Sequence, residues 1–425
     1  MNRKKPTSPP AAPPATGPAG SETVIRSRAH HRGSRPLGVR LYNERVVLHA
    51  LRLHGSLAAT ELARQTRLTT QTISLITKDL SDEGLLLRGE PRRGRAGQPA
   101  VPLRLNPDGA YSIGVVIGRR RMDMLLLDFV GQVRERWSLE YDFPQPAPLL
   151  DVIGKRLHLI RRQLGRDRAE RLQGVGVACP LSLDSWHDLL GIDEAMARRW
   201  SGVDFRAAVS RLTTLPVTLL KDTAAACLAE LVTGHGRDIG SFLYLFVDTF
   251  IGGGLVIDGR LRGGRHGNAG AIGSMAMSAS RATQGRAPAQ MLSEASLFAL
   301  EDRYARAGLD RTATADARAL QAPWRNHTDD WLAQASDGIA MAAQGAACLL
   351  DIEAVVVDGT FSRDLLAELV AETDLGLGRY DWQGTARPQL MAGSAGADAR
   401  ALGAALLPIY ANFAPDRDLF LNLAA

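Results

Sequence analysis

Apolar positions fall into two textures along the chain. In the first, Val46, Val47, Ala50, Leu51 and Leu53 recur at the spacing of one helical face, with Asn43 placed to cap the helix and Gly55 to stop it. A second short helix, TELARQTR, turns Leu62 and Ala63 inward, and Leu68 sits in the turn that follows. Thr69 can cap a third helix, TQTISLITKDLSDEG, in which Ile73, Ile76 and Leu80 share a face and Gly84 marks the end. Its other side carries Thr70, Gln71, Ser74, Leu75 and Lys78. Two strand-like runs then flank a Gly-, Pro- and Arg-rich loop in LLLRGEPRRGRAGQPAVPLRLN.

The second texture begins at Tyr111. YSIGVVIG, RMDMLLLDF and VRERWSLEYDF predict three successive strands with tight turns, followed by a helix over 149–164. GVGVACP, LPVTLLKD, SFLYLFVD, GGGLVIDGRL and AVVVDG predict further strands. Helices are expected over TAAACLAELVTG, 331–350 and ADARALGAALLPIY. Apolar strands alternating with helices predict an α/β body whose sheets are covered on both faces. No internal repeat is visible in the residues.

Charge sharpens this division. Residues 1–105 hold 18 Lys and Arg against 7 Asp and Glu, whereas the remainder holds 33 against 38. A basic front on an acidic body points to an N-terminal module that meets a polyanion. Residues 1–38, with seven prolines and seven Lys and Arg, lack the apolar side chains needed to offset chain entropy and read as a disordered tail. No apolar run reaches the roughly 18 residues that span a bilayer, and the start of the chain lacks a signal-peptide core, so a cytoplasmic protein without membrane partners is expected. Cys179, Cys227 and Cys348 are too few and too scattered for a disulfide framework or a Cys-based zinc site.

Three short helices followed by a basic hairpin is the layout of a winged helix-turn-helix, expected over residues 39–107. Thr69, Thr70, Gln71, Thr72 and Ser74 offer hydroxyls and an amide that can read base edges or hold phosphates, and Lys78 can meet a phosphate. Arg92, Arg93 and Arg95 on the loop can neutralise phosphates or enter a minor groove. The expected partner is double-stranded DNA, read as a palindrome by a homodimer or tetramer.

The segment order from about Val39 to the C-terminus resembles the ROK family of repressors, open reading frames and kinases. The resemblance is carried by LARQTRLTTQTISLITKDLSDEGLL, GQPAVPLRLN, KDTAAACLAE, GGGLVIDGRLRGGRHGNAGAIGS and ALGAALL. It implies an actin-like, ribonuclease H-like sugar-kinase body over 108–425. One lobe is expected over about 108–222 with the helix of about 398–425, the other over about 223–397. Gln98 stands where the family's repressors often have Arg.

The resemblance also implies four chemical stations, each altered here. Val116 stands in place of the Asp of the phosphate-wrapping hairpin, and Arg119 to Arg121 replace its small residues. Lys221-Asp222 stands for the Asn-Asp pair, which retains the candidate base; Asp222 could equally pair with Lys221 or cap the next helix. Asp248 and Phe250 replace glycines of the phosphate loop. Ala271, Ser274 and Leu292 stand where a Glu, a His and the closing Glu of the zinc motif belong, and ASRATQGRAPAQMLSEASLFAL contains no cysteine.

The expectation is therefore a regulator with no catalytic residues, metal or cofactor, Asp222 being a vestige. Lys221, Asp222, Arg265, His266 and Asn268, with Ser182 and Asp184, are the candidates to line an effector cleft for a sugar or sugar derivative. His266 could equally be a loop histidine without a ligand, and Trp186 and Trp200 fit packing better than sugar stacking. Two alternatives stay open: a carbohydrate kinase with an accessory DNA-binding head, and a regulator whose body no longer binds sugar.

Overall fold

The computed structural model describes residues 35–91, 101–181, 198–200, 202–278 and 287–415. Three helices open it: α1 (Arg35–His54), α2 (Ala59–Thr66) and α3 (Thr70–Asp82). They pack on a small antiparallel sheet in the order β1 (Ser56–Ala58), β3 (Pro102–Leu105), β2 (Leu86–Arg88). Helix α1 starts before the expected boundary at 39, and Asn43 lies inside it rather than at its cap. Of the apolar face read from Val46, Val47, Ala50, Leu51 and Leu53, Val47, Ala50 and Leu51 are buried, together with Leu62, Ile73, Ile76 and Leu80, whereas Val46 and Leu53 are only half-buried. Ala63 is only partly buried. Pro36 falls in the first turn, where no backbone donor is needed, and Asn43 is tolerated mid-helix, so the helix begins upstream of it despite Gly38.

The body contains two five-stranded sheets. The first runs β6 (Val133–Glu140), β5 (Arg121–Asp128), β4 (Tyr111–Ile117), β7 (Leu172–Cys179), β8 (Val217–Lys221). The second runs β11 (Arg260–Arg262), β10 (Gly252–Ile257), β9 (Phe242–Val247), β12 (Ala354–Gly359), β13 (Gln389–Ala392). In each, the central strand pairs antiparallel with the strand after it and parallel with the strand on its other side. The body is thus built on a duplicated topology that the residues do not display. Burial constrains strand order and polarity, not side-chain identity.

Helix α4 (Pro146–Ala169) and the short α5 (Phe205–Ser210) cover one face of the first sheet. Trp200 is packed there against Phe205, with ring centroids 4.8 Å apart, which fits its expected packing role. The second sheet is covered by α7 (Met291–Ala295), α8 (Leu297–Arg306), α9 (Arg325–Leu350) and α10 (Arg363–Leu377) around Trp331 and Tyr304. Between the sheets lie α6 (Asp222–Thr233) and α11 (Ala399–Phe413), packed against each other. Helices α7, α8 and α10 and strand β13 were not among the expected elements.

Close approach sets what α11 can be made of. A Cβ on Gly403 would lie 1.6 Å from the Ala225 carbonyl oxygen on α6, and one on Gly176 of β7 would lie 1.9 Å from the Ala404 carbonyl oxygen. Neither neighbour is a flexible side-chain tip, so the backbone would have to move. Gly403→Ala is expected to cost about 1–3 kcal/mol or more through overpacking. Urea denaturation checks this; a loss below about 0.5 kcal/mol would mean the two helices can separate freely.

The helical module is seated on the body. Arg52 donates to the Phe129 carbonyl at 2.9 Å, Arg45 to Ala414 O at 3.3 Å, and Arg237 to Leu53 O. Ile409, Phe129 and Phe413 join the module's apolar core. No helix among the described residues is long and apolar enough to cross a membrane.

Candidate functional site

A cleft enclosing about 760 Å³, partly open to solvent, lies where the two sheets face each other. Parallel strands β8 and β9 end there, and chain leaving such strand ends is free to carry functional side chains. Lys221 closes β8, Asp222 opens α6, and Asp248 follows β9. Arg400, in the first turn of α11, reaches in between them.

Arg400 organises the floor. Its Nη1 lies 2.6 Å from Asp248 and 3.6 Å from Asp222, and its guanidinium sits 5.4 Å from the centre of the Phe246 ring. The three charged side chains are only 16%, 20% and 13% exposed for Arg400, Asp248 and Asp222. Burial works against the guanidinium's charge, but the carboxylates of Asp248 and Asp222 outweigh it and raise its pKa. Burial pushes the Asp222 carboxyl above its ordinary range, opposed chiefly by Arg400 and by the Thr223 backbone N–H, which donates to it at 2.8 Å. Asp248 also accepts from the Thr360 hydroxyl at 2.8 Å, just beyond β12. The Asp222–Arg400–Asp248 cluster therefore ties the first sheet to the second.

The sequence candidates separate in space. Lys221, Asp222 and Asn268 line the cleft. Lys221 does not form a close pair with Asp222; its Nζ donates to Asn268 Oδ1 at 3.2 Å and to Ala269 O at 3.3 Å, while burial lowers its pKa. Asp222 is the first residue of its helix rather than the N-cap, which is Lys221 without a side-chain cap bond; its carboxylate accepts from Thr223 N and faces Arg400. Arg265 and His266 are exposed on the same loop and do not line the cleft, because Gly264 and Gly267 turn the chain outward with positive φ. Ser182, Asp184 and Trp186 fall outside the described residues.

The altered stations are in place around this cluster. Val116 is buried in β4. Arg119 lines the cleft and donates to the Asp142 carbonyl, its guanidinium 5.7 Å from the centre of the Phe143 ring. Arg121 turns away to pair with Asp123 at 2.9 Å. Thr249, Phe250, Ala271, Ser274 and Leu292 complete the wall. Among the described residues no cluster of three His, Cys, Asp or Glu could hold a metal ion. Arg400 escaped the sequence reading: it is one arginine in an Ala-rich helix, and only folding brings it to residues far away in the chain.

A second surface lies on α3. Thr69 caps the helix, its hydroxyl accepting from Thr72 N at 3.2 Å and meeting the Thr72 hydroxyl at 2.8 Å. These two hydroxyls are therefore engaged in the cap rather than directed outward alone. Thr70, Gln71, Ser74, Leu75 and Lys78 are exposed, Leu75 to 60%. Arg92, Arg93, Arg95 and Gln98 lie outside the described residues.

The sequence pattern of the ROK family matches residues 112–410, more than half of the chain and every strand of the body's two sheets save Tyr111, the first residue of β4.

The chain belongs to the ROK family. A xylose repressor of Caldicellulosiruptor bescii is 25% identical over 236 residues, 54% of this chain and 57% of that protein. The chain thus spans little more than half the length of the curated relatives it matches. Among solved structures, a ROK family transcriptional regulator described as a homologue of the E. coli MLC protein superposes with a TM-score of 0.64 and 20% identity, over 88% of this chain and 98% of that one. A ROK hexokinase from Thermus thermophilus superposes with a TM-score of 0.53 and 23% identity, over 70% of this chain and 97% of that one. Both likenesses bear on the fold: this ROK body has the sugar-kinase-like α/β architecture.

Proposed function

We propose that this ROK protein is a DNA-binding transcriptional regulator, a repressor of carbohydrate genes, whose body senses a small molecule without phosphorylating it. The observation that carries the reading is the exposed face of α3. Thr70, Gln71, Ser74 and Lys78 project from a capped helix in a module bolted to the body, a set suited to base edges and phosphates. Helices α1 to α3 with the β1–β3–β2 sheet form a winged helix-turn-helix, α3 being its recognition helix. The name of the xylose repressor that it resembles supports the same reading.

The domains follow from this: the winged helix takes in the whole of α1 and so runs over 35–107 rather than from 39, behind a basic N-terminal stretch, and the two-lobed body runs over 108–425. A homodimer places two copies of α3 one helical turn of DNA apart, so the operator is palindromic. The effector, a sugar or sugar derivative, binds the cleft beside Lys221, Asp222 and Asn268. It shifts operator affinity only if it favours one arrangement of the lobes. Selection from a random DNA pool is expected to enrich a palindrome, bound more weakly as salt rises because phosphate contacts release counterions. Absence of any enriched sequence would remove the regulator reading.

The kinase alternative rests on Asp222, which remains in the cleft. Its carboxylate is held by Arg400 and Thr223, and arginine and aspartate side chains occupy the positions of the phosphate loops. No sugar-dependent ADP release is expected. Release that is lost in Asp222→Asn would instead establish a kinase.

A further inference from the structure

The helical module rests on the far ends of two helices that begin in the cleft. Helix α6 starts at Asp222, and the turn beyond its last residue carries Arg237, which donates to Leu53 O of α1. Helix α11 has Arg400 in its first turn, while Ile409 and Phe413 near its other end belong to the module's apolar core. Phe413 meets the Phe129 ring edge-on with centroids 4.8 Å apart, and Ala414 O accepts from Arg45 of α1. With 12 and 15 residues, the two helices span about 18 and 22 Å.

The two helices belong to different sheets. Helix α11 is clamped to the first: the Ser112 hydroxyl donates to Ala405 O at 2.5 Å, and Gly114 and Gly176 let its backbone lie directly on β4 and β7. Helix α6 is tied to the second: the Thr223 hydroxyl donates to Gly253 O of β10 at 2.9 Å, and Ala226, Cys227 and Leu228 pack with Phe242, Tyr244 and Phe246 of β9. Where the helices meet, Gly403 puts the α11 backbone against the Ala225 carbonyl with no side chain of its own between them. Packed helices shift by small sliding steps, so a change in the relative position of the sheets is a slide of α6 along α11. The Asp222–Arg400–Asp248 cluster stands at the cleft end of that interface, with Arg400 on α11 and its carboxylates on α6 and after β9. Arg400 and Asp248 line the cleft with 16% and 20% of their side-chain surface exposed, within reach of an occupant.

We propose, resting on the regulator reading above, that α6 and α11 carry the state of this cluster to the DNA-binding module. An occupant of the cleft that takes Arg400 or Asp248 as its own partner loosens the ion pair between the sheets. Helix α6 then slides along α11, and the two supports of α1, at Arg237 and at Ile409 with Phe413, shift against each other. Such coupling is reciprocal, so a disturbance at the module end also reaches the cleft.

Hydrogen exchange followed by mass spectrometry on the full chain tests this without a known operator or effector. Asp248→Asn keeps the size of the side chain and weakens its hold on Arg400. It should speed exchange in residues 45–54 of α1 and 407–413 of α11 roughly two- to thirty-fold, the span of coupling energies between distant sites. Helix α4, on the other face of the first sheet, should keep the parent chain's rate. Phe413→Ala, at the module end, should in turn speed exchange over 225–230 and 402–406, and it carries the test if Asp248→Asn fails to fold. Change confined to the cleft, an equal change in α4, or no change at the cleft in Phe413→Ala would each overturn the proposal. Asp248→Asn should also shift affinity for an operator selected from the random pool by at least about two-fold, and unchanged affinity would overturn it too. If no operator is enriched, the regulator reading falls, while the exchange rates still decide whether the two helices couple cleft to module.

Discussion

Arg400→Ala is expected to lower the stability of the body by about 3–5 kcal/mol, because it leaves two buried carboxylates without their cation. Asp222 and Asp248 would then face each other in a cleft where they are 13% and 20% exposed. The Asp222 carboxyl, already pushed above its ordinary range by burial, would have its folded-state pKa raised further once its chief opposing charge is gone. A carboxyl shifted that way leaves stability unaffected below the unfolded pKa and costs it as the group ionises. The variant's deficit should therefore be smallest at acid pH and largest at neutral pH. Adding Asp248→Asn should recover part of the loss by removing one uncompensated charge. Denaturation of the parent chain and the two variants at pH 5 and pH 7.5 checks this. A deficit under about 1 kcal/mol at neutral pH would show that water already screens the cluster and that it does not tie the sheets.

The second large effect concerns DNA. In Thr70→Ala/Gln71→Ala/Ser74→Ala, Thr69 and Thr72 keep the helix cap, so α3 should form as before. Base-reading groups are each worth about 1–3 kcal/mol of discrimination, so operator affinity should fall roughly a hundred-fold or more. Binding to unrelated DNA, which rests on phosphates, should barely change. Lys78→Ala should act the other way, weakening all sequences alike and lowering the salt slope by about one. A triple variant that held the selected operator as tightly as the parent chain would take sequence reading away from α3.

How far the residues could be read depended on how local each feature is. Helix α3 was legible down to its cap because Thr69, the Ile73–Ile76–Leu80 face and Gly84 lie within one short stretch. Strands β4, β5, β7, β9 and β12 were legible as apolar runs, since burial on both faces demands such runs. The start of α1 was misplaced because Asn43 can cap a helix and can also sit within one. Helix α10 was passed over in RDLLAELVAETDLGL, although Ser362 caps it and Leu365, Leu366 and Leu369 are buried.

The candidate site divides along the same line. Lys221 and Asp222 were visible because they stand where the family resemblance implies an Asn-Asp pair, and Asn268 because it sits in the stretch 247–274 with its nine glycines. Arg265 and His266 share that run but point away from the cleft, a matter of φ at neighbouring glycines.

By itself, then, the sequence determined the charge division, the α/β body and the exposed polar face of α3. These follow from composition and short-range periodicity, which each segment carries alone. Only the tertiary structure decided that Arg400 joins Asp222 to Asp248, that the two sheets repeat one topology, and that α6 and α11 run from the cleft to the helical module. Those facts are made by segments far apart in the chain, and burial and charge pairing acquire values only once packing brings the segments together.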